Sequence, residues 1–263
     1  MNVLQKNETF KRTVEGLRFH RVRFIVEEDG KCYVGYSQNR RKQPTDLSEL
    51  EDKAEVQREN RAPKILSRWT VVALNSHDYI KKPSLNDYLD DSLEARIKSE
   101  IEVCEVIRRN PHPGLAVYHG CVDANGRASG LCFQQYKESL KQRVNPGSLN
   151  RHHFIESGRL LVTDVMREWP GLLRSALQHL HALGFAHNDV TPANIMLDDE
   201  DRPVIIDFDS ARALGASLEG VKRTYPWYDP NASCVAPEND LLALDEIETW
   251  LFGSVKDLRF PGV

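Results

Sequence analysis

The sequence lacks the features that direct a chain into a membrane. No apolar run in its 263 residues approaches the length of a transmembrane helix. The opening residues, MNVLQKNETFKR, hold no apolar stretch of the kind that a secretory signal needs, so we expect no such signal. Basic residues are not in excess, since 35 lysines and arginines face 39 acidic residues and the net charge is −4. We therefore predict neither a nucleic acid nor a membrane as a partner.

Cysteines are few, odd in number and scattered, and none forms a C-x-x-C pair. The five are Cys32, Cys104, Cys121, Cys132 and Cys234. This usage is typical of reduced thiols, and it predicts an intracellular protein of the cytoplasm or nucleus. The composition, 40% hydrophobic and 28% charged, is that of an ordinary globular chain, long enough for one large domain or two lobes.

The sequence does contain one stretch with several candidate catalytic and metal-binding side chains, at residues 187–212: HNDVTPANIMLDDEDRPVIIDFDSAR. Two short apolar runs, 195–197 and 203–206, flank an acidic segment at 198–201. Because four consecutive acidic residues are not expected to be buried, this segment is predicted to form the turn of a β-hairpin. The hairpin would bring Asn194 and Asp207 to the same edge of the fold.

The residue types at that edge favour phosphoryl transfer. An amide oxygen from Asn194 and a carboxylate from Asp207 suit Mg²⁺, which needs few protein ligands when a phosphate completes its shell. Asp189 lies five residues before Asn194 and could accept a proton or orient a hydroxyl group. A base, an amide and a metal carboxylate are the groups that phosphoryl transfer requires.

These residues carry a resemblance to a known family. The pattern H-x-D-x-x-x-x-N, here His187 to Asn194, followed by Asp207-Phe208-Asp209, resembles the catalytic loop and metal motif of protein kinases. The H-N-D and D-F-D forms are similar to those of compact fungal kinase-domain proteins. The resemblance implies an α+β, two-lobed fold with a small β-rich N-lobe and a truncated, mainly helical C-lobe. It also implies ATP and Mg²⁺ as cofactors and, as acceptor, a hydroxyl group on a protein or a small molecule.

The domain boundaries follow from the resemblance and from local pattern. Residues 1–60 are predicted to be an N-terminal extension, 61–136 the N-lobe and 137–263 the truncated C-lobe. Partial alternation over residues 17–36, interrupted by Glu28-Asp29-Gly30, predicts a hairpin within the extension. Residues 1–16 are polar and are expected to be loosely held. The charged segment 37–63 is predicted to be an exposed insert, with a weak amphipathic helix as the alternative.

In the N-lobe, strands are predicted at 65–74 and at 78–83. By its position the second resembles the kinase strand whose lysine holds the nucleotide's phosphates, which implies this role for Lys81, with its neighbour Lys82 as the alternative. Apolar residues recur at helical spacing over 91–109, so a helix is predicted there. The resemblance implies that Glu100 on this helix pairs with the lysine, whereas Glu102 lies about 200° further round.

The resemblance also implies an adenine site and a brace. Phe133 would be the gatekeeper of that site, and the backbone at Gln134 and Tyr136 would contact adenine. In the C-lobe, helices are predicted at 170–183 and 238–251, and Asp240 on the second would brace the catalytic loop. Residues 222–227 resemble the end of an activation segment.

Four departures from the family pattern keep two function classes open. No G-x-G-x-x-G motif precedes Lys81, Asn188 replaces an arginine, Asp209 replaces a glycine and Thr191 replaces a lysine. The first class is a MgATP-dependent phosphotransferase resembling serine/threonine kinases, with Asp189 as the catalytic residue. The alternative is a pseudokinase that acts as a nucleotide-binding or scaffold module.

Overall fold

The chain passes three times between two units of structure. The computed structural model describes residues 1–13, 16–58, 60–73 and 75–260. The first unit consists of Met1–Ala62 and Pro83–Glu94, and the second of Pro63–Lys82 and the residues from Ala95 onward. Residues 83–94 thus pack with the N-terminal unit, although they lie inside the range predicted for the N-lobe.

An antiparallel sheet forms the first unit, with its strands adjacent in the order of the chain. They are β1 (Asn2–Thr13), β2 (Gly16–Glu28), β3 (Lys31–Ser37) and β4 (Glu51–Glu55). The β2–β3 hairpin turns at Asp29 and Gly30, whose φ angles are 50° and 75°. Positive φ at both central residues matches the right-handed twist of the flanking strands, which is why an Asp-Gly pair occupies this turn.

The prediction that residues 1–16 are loosely held is wrong for the described residues, because β1 pairs with β2 along its length. The ring of Phe10 packs edge-on against Phe19, and Glu8 forms an ion pair of 2.6 Å with Arg40. Paired strands form hydrogen bonds between backbone N–H and C=O groups whatever their side chains are, so the polar composition of β1 did not indicate that it is a strand.

The predicted exposed insert at 37–63 is also partly wrong. Leu50 is buried with Val22, Phe24 and Val26 on one face of the sheet, whereas Val56 is buried on the other face. A short 3-10 helix and β4 replace the alternative amphipathic helix, because β4 pairs with β3.

A three-stranded sheet and a long helix begin the second unit. The strands are β5 (Asp78–Lys81), β6 (Tyr118–Ala124) and β7 (Arg127–Gln134), in the order β5-β7-β6. The helix is α1 (Leu93–Arg109). Its buried apolar residues include Ile97, Ile101, Cys104 and Ile107, which confirms the helix predicted from their spacing.

The strand predicted at 65–74 is wrong for the described residues, which form only an isolated bridge from Val71 to Cys121. Thr70 and Val72 make backbone hydrogen bonds of 2.8 and 3.1 Å with Cys121 of β6, and carboxylates on α1 also accept hydrogen bonds from the segment. Glu105 accepts the Thr70 amide at 2.6 Å, and Glu102 accepts the Trp69 indole N–H at 3.0 Å. Leu74 lies outside the described residues.

The rest of the second unit combines helices with very short strands. The helices are α2 (Leu140–Val144), α3 (Arg151–Glu156), α4 (Trp169–Ala182) and α5 (Pro237–Phe252). The strands are β8 (Glu138–Ser139), β9 (Phe185–Ala186), β10 (Ile195–Leu197), β11 (Pro203–Ile205) and β12 (Arg212–Ala213). They form the sheets β11-β10-β8 and β12-β9.

Short 3-10 helices connect several elements, at Leu47–Glu49, Asp87–Leu89, Asp164–Glu168, Phe208–Ser210 and Val255–Asp257. The helical core of the second unit includes Phe154 of α3 stacked on Trp250 of α5, with ring centroids 4.1 Å apart. In the part of the chain that the structure describes, no helix combines the length and apolar character needed to cross a bilayer.

The predicted hairpin of the motif stretch is present as β10 and β11, but one detail of its turn differs. Asp198 was expected to be exposed, and it is buried. Its Oδ1 accepts the amides of Glu200 and Arg202 at 3.0 and 2.8 Å, and its Oδ2 accepts the Arg202 Nε–H at 2.9 Å. A buried carboxylate is tolerated here because its oxygens are hydrogen-bonded.

Candidate active site

The loop between β9 and β10 carries Asp189 and Asn194, and a buried carboxylate anchors its start. Asp240 on α5 accepts the backbone amides of His187 and Asn188, each at 2.7 Å, and also contacts His181 Nε2 at 2.8 Å. Asp240 is fully buried. These contacts confirm that Asp240 braces the loop, and they hold the backbone just before Asp189 in place.

Asn188 adopts a left-handed backbone conformation, with φ of 62°, which asparagine tolerates better than most residues. Its Nδ2 donates to the carbonyls of Ala186 and Ser210 at 2.9 and 3.1 Å. His187, fully buried beside it, contacts the Ile206 carbonyl through Nε2 at 2.9 Å. The side chains of the H-N-D motif therefore tie the loop to the segment that carries Asp207.

Asp189 lies at the centre of a small hydrogen-bonded group. Asn194 Nδ2 donates to the backbone carbonyl of Asp189 at 2.9 Å and to its Oδ2 at 3.1 Å. Thr224 donates its amide to Asp189 Oδ1 at 2.7 Å and its hydroxyl to Oδ2 at 3.2 Å. The carboxylate is buried, and its orientation is fixed from two sides.

An ion-pair network joins β5, α1 and the D-F-D segment, with Glu100 buried and Lys81 and Asp207 about one-quarter exposed. Lys81 Nζ lies 2.6 Å from Glu100 Oε1 and 2.5 Å from Asp207 Oδ1. Lys82 is exposed, and Glu102 is bound to Arg68 and Trp69. Of the two lysines left open by the sequence, the structure therefore brings Lys81 to Glu100.

The pKa values in this network follow from burial and charge. Burial opposes the charge on Lys81, but the carboxylates of Glu100 and Asp207 outweigh it and raise the lysine pKa. Burial raises the pKa of Glu100, and Lys81 counteracts it only in part. Burial also acts to raise the pKa of Asp207, but the adjacent Lys81 prevails and lowers it. Asp207 is thus held as an anion.

A cavity of about 320 Å³ opens beside the network, a size typical of small-molecule sites. It is lined by Tyr79, Lys81, Ala116, Phe133, Gln134, Gln135, Tyr136, Met196, Ile206 and Asp207. Its walls are mainly apolar, and its charged residues are Lys81 and Asp207. Phe133, Gln134 and Tyr136, predicted from the resemblance as adenine contacts, all line this cavity.

The side-chain oxygens of Asn194 and Asp207 are the candidate donors for Mg²⁺ at this site. In the described part of the chain, no cluster of three or more histidine, cysteine or acidic residues could hold a metal ion. Asn194 and Asp207 lie on adjoining segments, since the Ile206 amide donates to the Asn194 carbonyl at 3.0 Å. An amide oxygen and a carboxylate fit Mg²⁺ when phosphates and waters complete its shell, so the residues suit this metal only together with a nucleotide.

Some residues of the site were missed by sequence reasoning. Ala116 and Met196 line the cavity but are ordinary apolar residues whose sequence positions carry no functional signal. Thr224 lies in a segment that resembles the end of an activation segment, yet its two contacts with Asp189 were not predicted. The same is true of the direct contact between Lys81 and Asp207.

Comparison with known proteins agrees with this geometry. The family described as Protein kinase domain matches residues 70–238, which is more than half of the chain. The chain therefore belongs to the protein kinase family, and the predicted α+β kinase-like fold is confirmed.

Individual relatives match over shorter segments. A probable serine/threonine-protein kinase of Streptomyces coelicolor is 36% identical over 49% of this chain and 18% of its own length. A leaf rust 10 disease-resistance locus receptor-like protein kinase of Arabidopsis thaliana is 27% identical over 44% of this chain and 16% of its own. Human serine/threonine-protein kinase 16 is 38% identical over 20% of this chain and 17% of its own. Each match thus spans less than a fifth of the relative.

Proposed function

We propose that the chain is a phosphotransferase that moves the terminal phosphoryl group of MgATP to a hydroxyl acceptor. The observation that carries this proposal is the ion-pair network at the edge of the cavity, in which Glu100 is buried and Lys81 and Asp207 are about one-quarter exposed. Holding these charged groups together with limited access to water is costly unless they serve one another or a ligand. A polyphosphate bound through Mg²⁺ is a ligand that requires both a fixed cation and a fixed anion.

Lys81 would hold the α- and β-phosphates, with Glu100 fixing its direction. Phe133, Gln134 and Tyr136 would border adenine. The Gln134 amide donates to the Val117 carbonyl at 2.9 Å, and the Gln134 carbonyl is the backbone group that would accept from the amino group of adenine. The Tyr136 amide would supply the complementary donor.

Asn194 and Asp207 would hold Mg²⁺, which supplies charge neutralisation at the phosphates when bound. Asn194 Nδ2 is engaged by Asp189, which directs the amide oxygen of Asn194 away from that carboxylate. Lys81 contacts Oδ1 of Asp207, so the second carboxylate oxygen is the natural one for the cation.

Asp189 would orient the acceptor hydroxyl and take its proton. Thr224 holds both oxygens of this carboxylate, so an acceptor must approach beside Thr224 or displace its hydroxyl. The names of several relatives specify serine/threonine-protein kinases, which favours a protein hydroxyl over a small molecule here. All five cysteines are free thiols, in keeping with an intracellular setting.

The alternative function, a pseudokinase, has specific support as well. No glycine occurs between Gly35 and Gly114, so the region before and after Lys81 cannot form a glycine-rich cover for phosphates. Lys81 already binds Asp207, and a nucleotide must compete with that contact. A chain that binds nucleotide without transferring phosphate would retain the same network.

Binding is tested first, with Lys81→Met and the neighbouring Lys82→Met as a matched pair. MgATP at about 100 times its Kd should stabilise the wild type by roughly 2.7 kcal/mol, seen as a rise in Tm that requires Mg²⁺. Lys82→Met should keep this rise, and Lys81→Met and Asp207→Ala should lose it. The proposal fails if wild type shows no nucleotide-dependent rise, or if both lysine variants behave alike.

Transfer is tested with radiolabelled ATP on the chain itself and on a set of serine- and threonine-containing peptides. Asp189→Asn should lower turnover at least about 10²-fold, because it removes a positioned base. Asp199→Asn, in the exposed turn of the same hairpin, is the control and should leave turnover unchanged. MgATP binding without transfer by the wild type would support the pseudokinase instead.

A further inference from the structure

The second acidic residue of the D-F-D motif contacts cations from two other segments. Asp209 Oδ2 lies 3.6 Å from Arg96 Nη2 on α1 and 4.0 Å from Lys222 Nζ. Its Oδ1 accepts the Ser210 hydroxyl at 3.0 Å. The side chains of Asp209 and Arg96 are 11% and 28% exposed, so this ion pair is screened less than a surface pair, whereas the Lys222 side chain is 66% exposed.

Both cations lie close in sequence to residues of the proposed site. Arg96 precedes Glu100 by four residues, so the two side chains share one face of α1, one turn apart. Lys222 precedes Thr224 by two residues, and Thr224 holds the carboxylate of Asp189. A single carboxylate thereby joins the segment that orients Lys81 to the segment that orients Asp189.

We propose that Asp209 is a positioning residue that acts as a built-in anionic clamp, defined by Asp209, Arg96 and Lys222. The clamp holds Glu100 against Lys81 and Thr224 against Asp189, and so prepares both halves of the site without a phosphorylated residue in the 210–224 segment. This inference rests on the proposed function. A carboxylate that pairs with basic residues on two segments orders them as an added phosphate would, but it is permanent.

The surroundings of Asp209 agree with a permanent arrangement. Asn188 brings no charge to the catalytic loop and instead donates to the Ser210 carbonyl. The Ser210 hydroxyl also lies 2.6 Å from the Lys222 carbonyl, which pins the same segment by an uncharged contact. A glycine at position 209 would remove the carboxylate that links these contacts to α1.

The test uses Asp209→Asn, which keeps shape and removes charge, and Asp209→Glu, which keeps charge. Distances of 3.6 and 4.0 Å leave room for the longer side chain. Asp245→Asn is the control, since Asp245 on α5 forms an ion pair of 2.7 Å with Arg174 away from the site. Each full-length variant is treated with phosphatase, its mass is measured to verify that no phosphate remains, and it is titrated with MgATP.

Asp209→Asn should raise the Kd for MgATP about threefold to tenfold, the range of one partly buried ion pair. Asp209→Glu and Asp245→Asn should stay within about twofold of wild type. A general loss of stability would not weaken MgATP binding in Asp209→Asn while leaving Asp209→Glu and Asp245→Asn close to wild type. The clamp is refuted if Asp209→Asn binds like wild type, if Asp209→Glu binds as weakly as Asp209→Asn, or if phosphatase treatment abolishes wild-type binding.

Hydrogen exchange without ligand separates failure of the clamp from failure of the proposed function. Amides near Arg96 on α1 and at 222–224 should both exchange faster in Asp209→Asn than in wild type, and at the wild-type rate in Asp245→Asn. If wild type binds no nucleotide, the proposed function is overturned, and exchange still decides whether Asp209 orders the two segments. Unchanged exchange at either segment overturns the clamp.

Discussion

The brace formed by Asp240 gives the sharpest prediction about stability. This fully buried carboxylate accepts three hydrogen bonds, from two backbone amides at 2.7 Å and from His181 at 2.8 Å. In Asp240→Asn, one acceptor oxygen becomes an NH₂ group that faces a backbone N–H. At least one charge-assisted hydrogen bond is lost and a buried donor is left without an acceptor, which together cost about 3 kcal/mol of unfolding free energy.

Asp245→Asn is the matched control because it lies on the same helix and removes the same charge. Asp245 pairs with Arg174 at 2.7 Å and with Arg259 at 3.5 Å, and because all three side chains are at least about one-third exposed, losing these pairs should cost about 0.5 kcal/mol. Urea unfolding followed by tryptophan fluorescence measures both variants, and Tm supplies the comparison if unfolding is not reversible. The reasoning is refuted if Asp240→Asn loses no more stability than Asp245→Asn.

Two further predictions concern Asp198 in the hairpin turn and Gly130 in β7, where it faces Ile80 of β5. Burial alone would raise the pKa of Asp198, but hydrogen bonds from Arg202 prevail and lower it. Its carboxylate therefore stabilises the fold above about pH 4. In urea titrations at pH 7, Asp198→Asn should have an unfolding free energy about 1 kcal/mol lower than that of wild type. This difference should shrink below pH 4, where the carboxylate becomes protonated. A Cβ on Gly130 would lie 2.9 Å from Ile80 Cγ2, so Gly130→Ala should destabilise by about 1–3 kcal/mol and weaken MgATP binding. Gly171→Ala in α4, where a Cβ meets nothing within 4 Å, should be neutral or stabilising by up to about 1 kcal/mol in the same assays.

Much of the site could be predicted because its residues are separated by fixed local spacings. The six residues from Asp189 to Asn194 form one loop, and a short hairpin necessarily returns the chain to Asp207. The helical repeat of α1 likewise assigned Glu100 and Glu102 to different faces, and the structure places only Glu100 at Lys81. Residue spacing within one loop, hairpin or helix therefore predicts which side chains lie together.

The N-terminal sheet could not be predicted in the same way. β1 is polar and pairs through its backbone, so its composition resembles that of a free terminus. The prediction for the 65–74 segment was wrong in the opposite sense, because the segment has the apolar content of a strand but its described residues form a single bridge to β6 and also donate to carboxylates of α1. In both cases, the deciding interaction is a partner distant in sequence, and residue composition does not reveal such a partner.

The charge network of the site illustrates the same limit more strongly. Lys81 and Asp207 are 126 residues apart, and their contact depends on how the β5-β7-β6 sheet faces the β10–β11 hairpin. The resemblance supplied the Lys81–Glu100 pair but gave no reason to expect Asp207 on the same lysine. That third contact matters for function, because a metal-bound nucleotide must separate Lys81 from Asp207 or bridge them. Nucleotide binding that requires Mg²⁺ would show that the cation enters between these two residues, and transfer of the phosphoryl group then distinguishes a phosphotransferase from a pseudokinase.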